Sequence, residues 1–88
     1  ESLFYMNEDL VESIDDYLGN VSKWRMSDTG KMRIRKLIKQ FGFQEVYTST
    51  EIAFEKYFNG AESSWRFAFD KIGGVCYNRR KQRQENGD

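Results

Sequence analysis

"SSWRFAFDKIGGVCYNRRKQRQ", Ser63 to Gln84, carries two patterns in one stretch. Trp65, Ala68, Phe69 and Ile72 recur three or four residues apart, the spacing of one buried helix face. Arg79, Arg80, Lys81 and Arg83 follow as a basic segment. Between the two lie Gly73 and Gly74. Glycine inside a helix costs up to about 1 kcal/mol relative to alanine, so the pair needs a reason. One reason is a notch for a neighbouring helix, with Phe54 or Tyr57 lying over it. The other is a kink that swings Tyr77 to Gln84 away. Close packing is the preferred reading.

Working outward, three more helices follow from period and punctuation. Leu10, Val11, Ile14, Tyr17 and Leu18 share one face of a first helix, expected from about Asn7 to Leu18. Asn7 suits its N-cap and Gly19 its C′ position. Leu3 to Met6 precede it as an extended arm or an extra turn. The connection Gly19 to Met26 carries Trp24. A second helix starts at Ser27 or Asp28 and ends at Phe41, with Ile34, Leu37, Ile38 and Phe41 inward. The third runs from about Gln44 to Phe58, buried through Val46, Thr50, Ala53, Phe54, Tyr57 and Phe58. The fourth opens at Ser63 or Ser64. No alternating strand pattern competes, and the chain has no proline. The fold class expected is all-α, a small bundle of about four helices over residues 1–78 with a flexible basic extension over 79–88. That extension has no apolar residue to offset the entropy of ordering it.

Composition narrows the chemistry. The 88 residues suggest one domain, and seven Phe, five Tyr and two Trp supply large anchors for its core. There is no His, and Cys76 is the only cysteine. Histidine catalysis, an internal disulfide and the cysteine-rich zinc patterns are therefore excluded, and a reduced, cytoplasmic setting is expected. No stretch approaches the roughly 20 apolar residues that span a bilayer. The start at Glu1 suggests a fragment of a longer protein. Glu8, Glu12, Asp15 and Asp16 sit at helical spacing on what reads as a solvated face, with no apolar pocket to tune them for acid–base work. The chain is expected to be no enzyme and to hold no cofactor or metal. Cys76 reads as a packing residue.

The net charge of zero is a sum of blocks. Residues 1–20 carry −6, residues 21–42 carry +6, residues 43–62 carry −3 and residues 63–88 carry +3. Lys31, Arg35 and Lys39 form a stripe at i, i+4 and i+8 on the second helix. The basic segment next to Tyr77 suits single-stranded nucleic acid, where bases stack on rings and cations track phosphates. The expected contacts are Arg79, Arg80, Lys81 and Arg83, with Lys71 in support, Tyr77 stacking, and Lys31, Arg35 and Lys39 extending the surface. The competing reading is a protein–protein or homo-oligomeric module, in which the acidic first helix meets the basic second helix of a neighbour and the basic segment is incidental. The link "QFGFQEV", Gln40 to Val46, reads as a plain hairpin closed by Gly42. A DNA-reading helix after it is disfavoured because Glu45, Glu51 and Glu55 repel phosphate.

"MRIRKLIKQFGFQEVYTSTEIAFEKYF", Met32 to Phe58, resembles the helical hairpin of the C-terminal domain of DnaD/DnaB-type replication initiation proteins. "SWRFAFDKIGGV" resembles the family's final helix, and "NRRKQRQENGD" its basic extension. The resemblance implies a bacterial or phage protein, cytoplasmic, acting in replication initiation. Its implied partners are single-stranded DNA and a replicative helicase or its loader.

Overall fold

The computed structural model describes the backbone of residues 2–87 and the side chains of residues 10–82. Four helices follow in order: α1 (Ser2–Ser22), α2 (Asp28–Phe41), α3 (Phe43–Tyr57) and α4 (Glu62–Gly87). No strand occurs among the described residues, so the all-α bundle is observed. No helix among them is long and apolar enough to cross a membrane.

The core is the meeting of four apolar stripes. Val11, Ile14 and Leu18 come from α1, and Ile34, Leu37 and Ile38 from α2. Val46, Ala53 and Phe54 of α3 meet Ala68, Phe69, Ile72 and Cys76 of α4. All are buried, at the positions the helical period predicts. Leu10, Tyr17, Phe41, Tyr57, Phe58 and Trp65, also expected inside, are only half-buried. Helices α3 and α4 run antiparallel, with Phe54 edge-on to Trp65 at one end and Glu45 bonded to Arg79 at the other. Helices α2 and α4 run side by side in the same direction, since Arg33 meets Asp70 and Gln40 meets Tyr77.

Cap chemistry explains most boundaries. Ser27 caps α2, its Oγ accepting the Gly30 N–H at 3.2 Å. Gly42 closes α2 at φ 93°, in the region that favours glycine, and its N–H bonds Ile38 O at 2.8 Å. One residue therefore serves both ends of the hairpin.

Helix α1 departs from expectation at both ends. It begins at Ser2, so the cap expected at Asn7 falls inside it, as do Leu3 to Met6. It also passes through Gly19 and stops at Ser22. The residue of positive φ is Lys23, at 76°, whose N–H reaches Gly19 O at 3.0 Å. Ser22 holds this end, donating from Oγ to Leu18 O at 2.6 Å. Gly19 has a packing role instead: a Cβ there would stand 3.1 Å from Nε of Arg25. The missing side chain lets Arg25 cross α1 to Asp15 and Asp16, each at 3.2 Å.

Asp15 corrects the solvated acidic face expected for α1. It is 2% exposed, and its Oδ1 accepts the Met26 N–H at 2.8 Å. A buried carboxylate is tolerable when a donor and a cation satisfy it, and here the returning chain supplies both. Glu12 and Asp16 are exposed as expected, and Glu8 lies outside the described side chains.

The double glycine produces neither of the expected effects. Helix α4 is unbroken through Gly73 and Gly74. The atom nearest a Cβ on Gly73 would be Leu37 Cδ2, at an ordinary 3.9 Å, and a Cβ on Gly74 would meet open space. The neighbour at this point is α2, where Phe54 or Tyr57 of α3 was expected. The basic segment continues the same helix to Gly87. Arg, Lys and Gln are good helix formers, and contacts from Arg79 and Arg80 tie its first turn to the bundle.

Candidate nucleic-acid-binding edge

The parallel course of α2 and α4 brings the end of α2 beside the eighth decade of the chain. There Gln40 Nε2 donates to the Tyr77 hydroxyl at 3.0 Å. The Phe41 ring stands edge-on to the Tyr77 ring, with centroids 5.2 Å apart and planes at 83°. The Arg80 guanidinium lies over Phe41 at 5.6 Å. Tyr77 is nevertheless 57% exposed. Its ring is thus held by two partners while much of its surface faces solvent. A fixed aromatic surface beside a cation is what stacking an unpaired base requires, because little side-chain freedom is lost on binding.

Two cations flank this cluster, the exposed Lys81 and Lys36. Lys36 lies one helical turn before Gln40 and so shares its side of α2. Gln40, Phe41 and Lys36 were not among the sequence's candidates. A Lys–Gln pair at i, i+4 was visible, but only the alignment of α2 with α4 makes it part of a site.

The other candidates scatter. Arg79 turns toward α3, where its Nε–H donates to the largely buried Glu45 carboxylate. Lys71 lies over the Phe67 ring at 4.9 Å. It precedes Arg80 by nine residues, about half a turn around the helix, and so faces away from Arg80. Lys31 faces α1 and pairs with Glu12 at 3.1 Å. That hydrogen bond, and then the Glu12 charge, push the Lys31 ammonium above its ordinary value. Arg35 is half-buried and engaged with its neighbours. Arg83 lies outside the described side chains. Of the nine candidates, the structure groups Tyr77 and Arg80 at one edge, with Lys81 one helical turn beyond Tyr77 on the same side of α4; Lys39 is exposed on the α2 stripe of Lys31, and Arg79, Lys71, Lys31 and Arg35 lie elsewhere.

The remaining chemistry is spare. Among the described residues, no three His, Cys, Asp or Glu side chains are grouped to hold a metal. Cys76 is fully buried, and burial is the largest cause of its raised thiol pKa. The Ser49 hydroxyl beside it works in the opposite direction. A thiol so protected is a packing group. No family model, curated protein or solved structure matches the chain.

Proposed function

We propose that the chain is a non-enzymatic accessory module that binds single-stranded nucleic acid along the edge formed by Gln40, Phe41, Tyr77 and Arg80. The observation that carries this reading is the exposed Tyr77 ring, braced by Gln40 and Phe41 with Arg80 alongside. A base stacks on the ring, a contribution of about 1–3 kcal/mol. Arg80, Lys81 and Lys36 neutralise the phosphates that follow. The likeness of Met32 to Phe58 to replication initiation proteins suggests single-stranded DNA as the strand, in the cytoplasm, with a helicase or its loader as a protein partner.

The test is fluorescence anisotropy of a labelled oligodeoxythymidylate titrated with the full chain across a salt series. Three phosphate contacts give a slope of log K against log salt of about −2 for a single strand. Duplex DNA of the same sequence should bind more weakly. Absence of binding at low salt would remove this reading.

A second reading rests on the Lys31–Glu12 pair. It matches part of the basic α2 stripe with α1 acid inside the chain. That arrangement suits a protein–protein or homo-oligomeric module whose charged faces are structural. Met32 and Phe67, 53% and 50% exposed, are then its contact residues.

A further inference from the structure

The connection between α3 and α4 holds an asparagine followed by a glycine, Asn59–Gly60, and both residues are exposed. Hydrogen bonds hold some atoms of this turn and leave others open. The Asn59 carboxamide Oδ1 accepts the Ala61 N–H at 3.1 Å. The Asn59 main-chain N–H donates to Ser64 Oγ at 3.1 Å, and that hydroxyl donates to Ala61 O at 2.7 Å. Together these bonds tie the turn to the start of α4. In contrast, Asn59 Nδ2 and the Gly60 N–H make no hydrogen bond with a described residue. Gly60 stands at φ 100°, in the region that favours glycine, and a Cβ built on it would meet nothing within 4 Å. Water and hydroxide therefore reach its nitrogen unhindered.

These are the parts of an intramolecular acyl transfer. The nucleophile is the Gly60 nitrogen, the electrophile is Asn59 Cγ and the leaving group is Nδ2. Closure makes a five-membered ring within two residues, so no partner has to be brought in. As the ring closes, negative charge collects on Oδ1. The Ala61 N–H already donates to that atom, the role of a donor in an oxyanion hole. Asn20 and Asn78 offer the contrast. Both lie inside helices and precede Val21 and Arg79, whose N–H groups belong to the helix ladder.

We propose that Asn59 is a self-modification site, at which the folded chain converts the side-chain amide to aspartyl and isoaspartyl products. Hydroxide takes the proton of the Gly60 N–H, and the nitrogen's electron pair forms a bond to Cγ. The Cγ–Nδ2 bond then breaks, and Nδ2 takes up a proton and leaves as ammonia. The succinimide that remains adds one water. Opening between Cγ and the Gly60 nitrogen gives aspartate at position 59. Opening at the main-chain carbonyl of residue 59 sends the backbone through the former side chain, which lengthens the α3–α4 connection by one carbon. Nothing is oxidised or reduced, and water is the only co-reactant. Either product adds one carboxylate at the start of α4, about four turns before Tyr77. The proposal therefore stands or falls independently of nucleic-acid binding.

The test is incubation of the full chain in mildly alkaline buffer, folded and urea-unfolded in parallel, followed by mass spectrometry with peptide mapping. The reaction exchanges NH2 for OH, so the mass rises by that difference and ammonia is released. Isoaspartyl-specific carboxyl methylation separates the two products. The expected result is conversion at Asn59 with a folded-to-unfolded rate ratio of about one or more, because the turn supplies an open nucleophile and an oxyanion donor. Asn20 and Asn78 should stay intact in the folded chain. Asn59→Gln keeps an exposed amide but would have to close a six-membered ring, and it should lose the reaction at this position. Three results would overturn the proposal: no conversion at Asn59, conversion confined to Asn86–Gly87, the chain's other Asn–Gly pair, or conversion of Asn59 that is slower folded than unfolded. The last would show that the turn holds the Gly60 nitrogen away from Cγ.

Discussion

Gln40 and Tyr77 are 37 residues apart in sequence and joined by a 3.0 Å hydrogen bond from the Gln40 amide to the Tyr77 hydroxyl. This contact registers the end of α2 against the middle of α4 and turns two unremarkable surface residues into one edge. Tyr77→Ala removes the stacking surface but little of the core, since the side chain is largely exposed. The expected outcome is an affinity for single-stranded oligonucleotide about tenfold lower, with a melting temperature close to that of the parent.

Neighbouring arginines should behave differently. Arg79 satisfies a Glu45 side chain that is only 12% exposed, whereas Arg80 lies over Phe41 at the surface. Arg79→Ala should cost about 1–3 kcal/mol in stability, because it strips a cation from a largely buried carboxylate. Arg80→Ala should stay within about 0.5 kcal/mol of the parent while reducing the salt slope by about 0.7. Urea melts beside anisotropy titrations separate the two.

Asp15 and Asp16 give a similar contrast in α1. The first is buried and accepts the Met26 N–H; the second is 62% exposed in its pair with Arg25. Asp15→Ala is expected to destabilise by about 2–3 kcal/mol and Asp16→Ala by less than about 0.5 kcal/mol. Equal effects in chemical denaturation would contradict the assignment of Asp15 as the anchor of the α1–α2 connection.

Gly74→Ala should stabilise the chain by about 0.5–1 kcal/mol, since the helix is unbroken there and the new methyl group meets nothing within 4 Å. The same change at Gly30 should gain less or lose stability, because its methyl group would crowd Phe69 at 3.2 Å. Thermal melts of the two single variants rank them.

Alkaline pH should weaken the fold. Burial raises the Cys76 thiol, and burial with the Glu51 and Glu55 charges raises the Tyr17 phenol. In each case the unfolded chain releases its proton first, so stability falls as pH passes 9.0 for the thiol and 10.0 for the phenol. Lys31 acts in the same direction: its pair with Glu12 stabilises the fold while the ammonium is charged and is lost above 10.5. Melting temperatures from about pH 8 to about pH 11 should decline, and Cys76→Ala should remove the earliest part of that decline.

The helices were legible because each carries a 3.6-residue apolar stripe and because Ser27 and Gly42 are unambiguous caps. Gly19 misled for a physical reason. A glycine near a helix end signals either a left-handed residue or a close approach, and only the path of Arg25 distinguishes them. Asp15 looked like its exposed neighbours because burial of a charge depends on donors from Arg25 and Met26, ten and eleven residues later. Tyr77 and Arg80 were legible as a basic-aromatic pair. Their separation from Lys71 followed from helical arithmetic, but the parts played by Gln40 and Phe41 required the register of α2 on α4.

The most direct measurement is the salt dependence of single-stranded oligonucleotide binding for the double variant Tyr77→Ala/Arg80→Glu, set beside Lys71→Glu as a control on the opposite side of α4. The edge predicts that the double variant loses most of the affinity and flattens the slope, while the Lys71 variant keeps both within about twofold. Equal losses in the two would mean that binding follows overall positive charge, and would contradict the assignment of the α2–α4 edge.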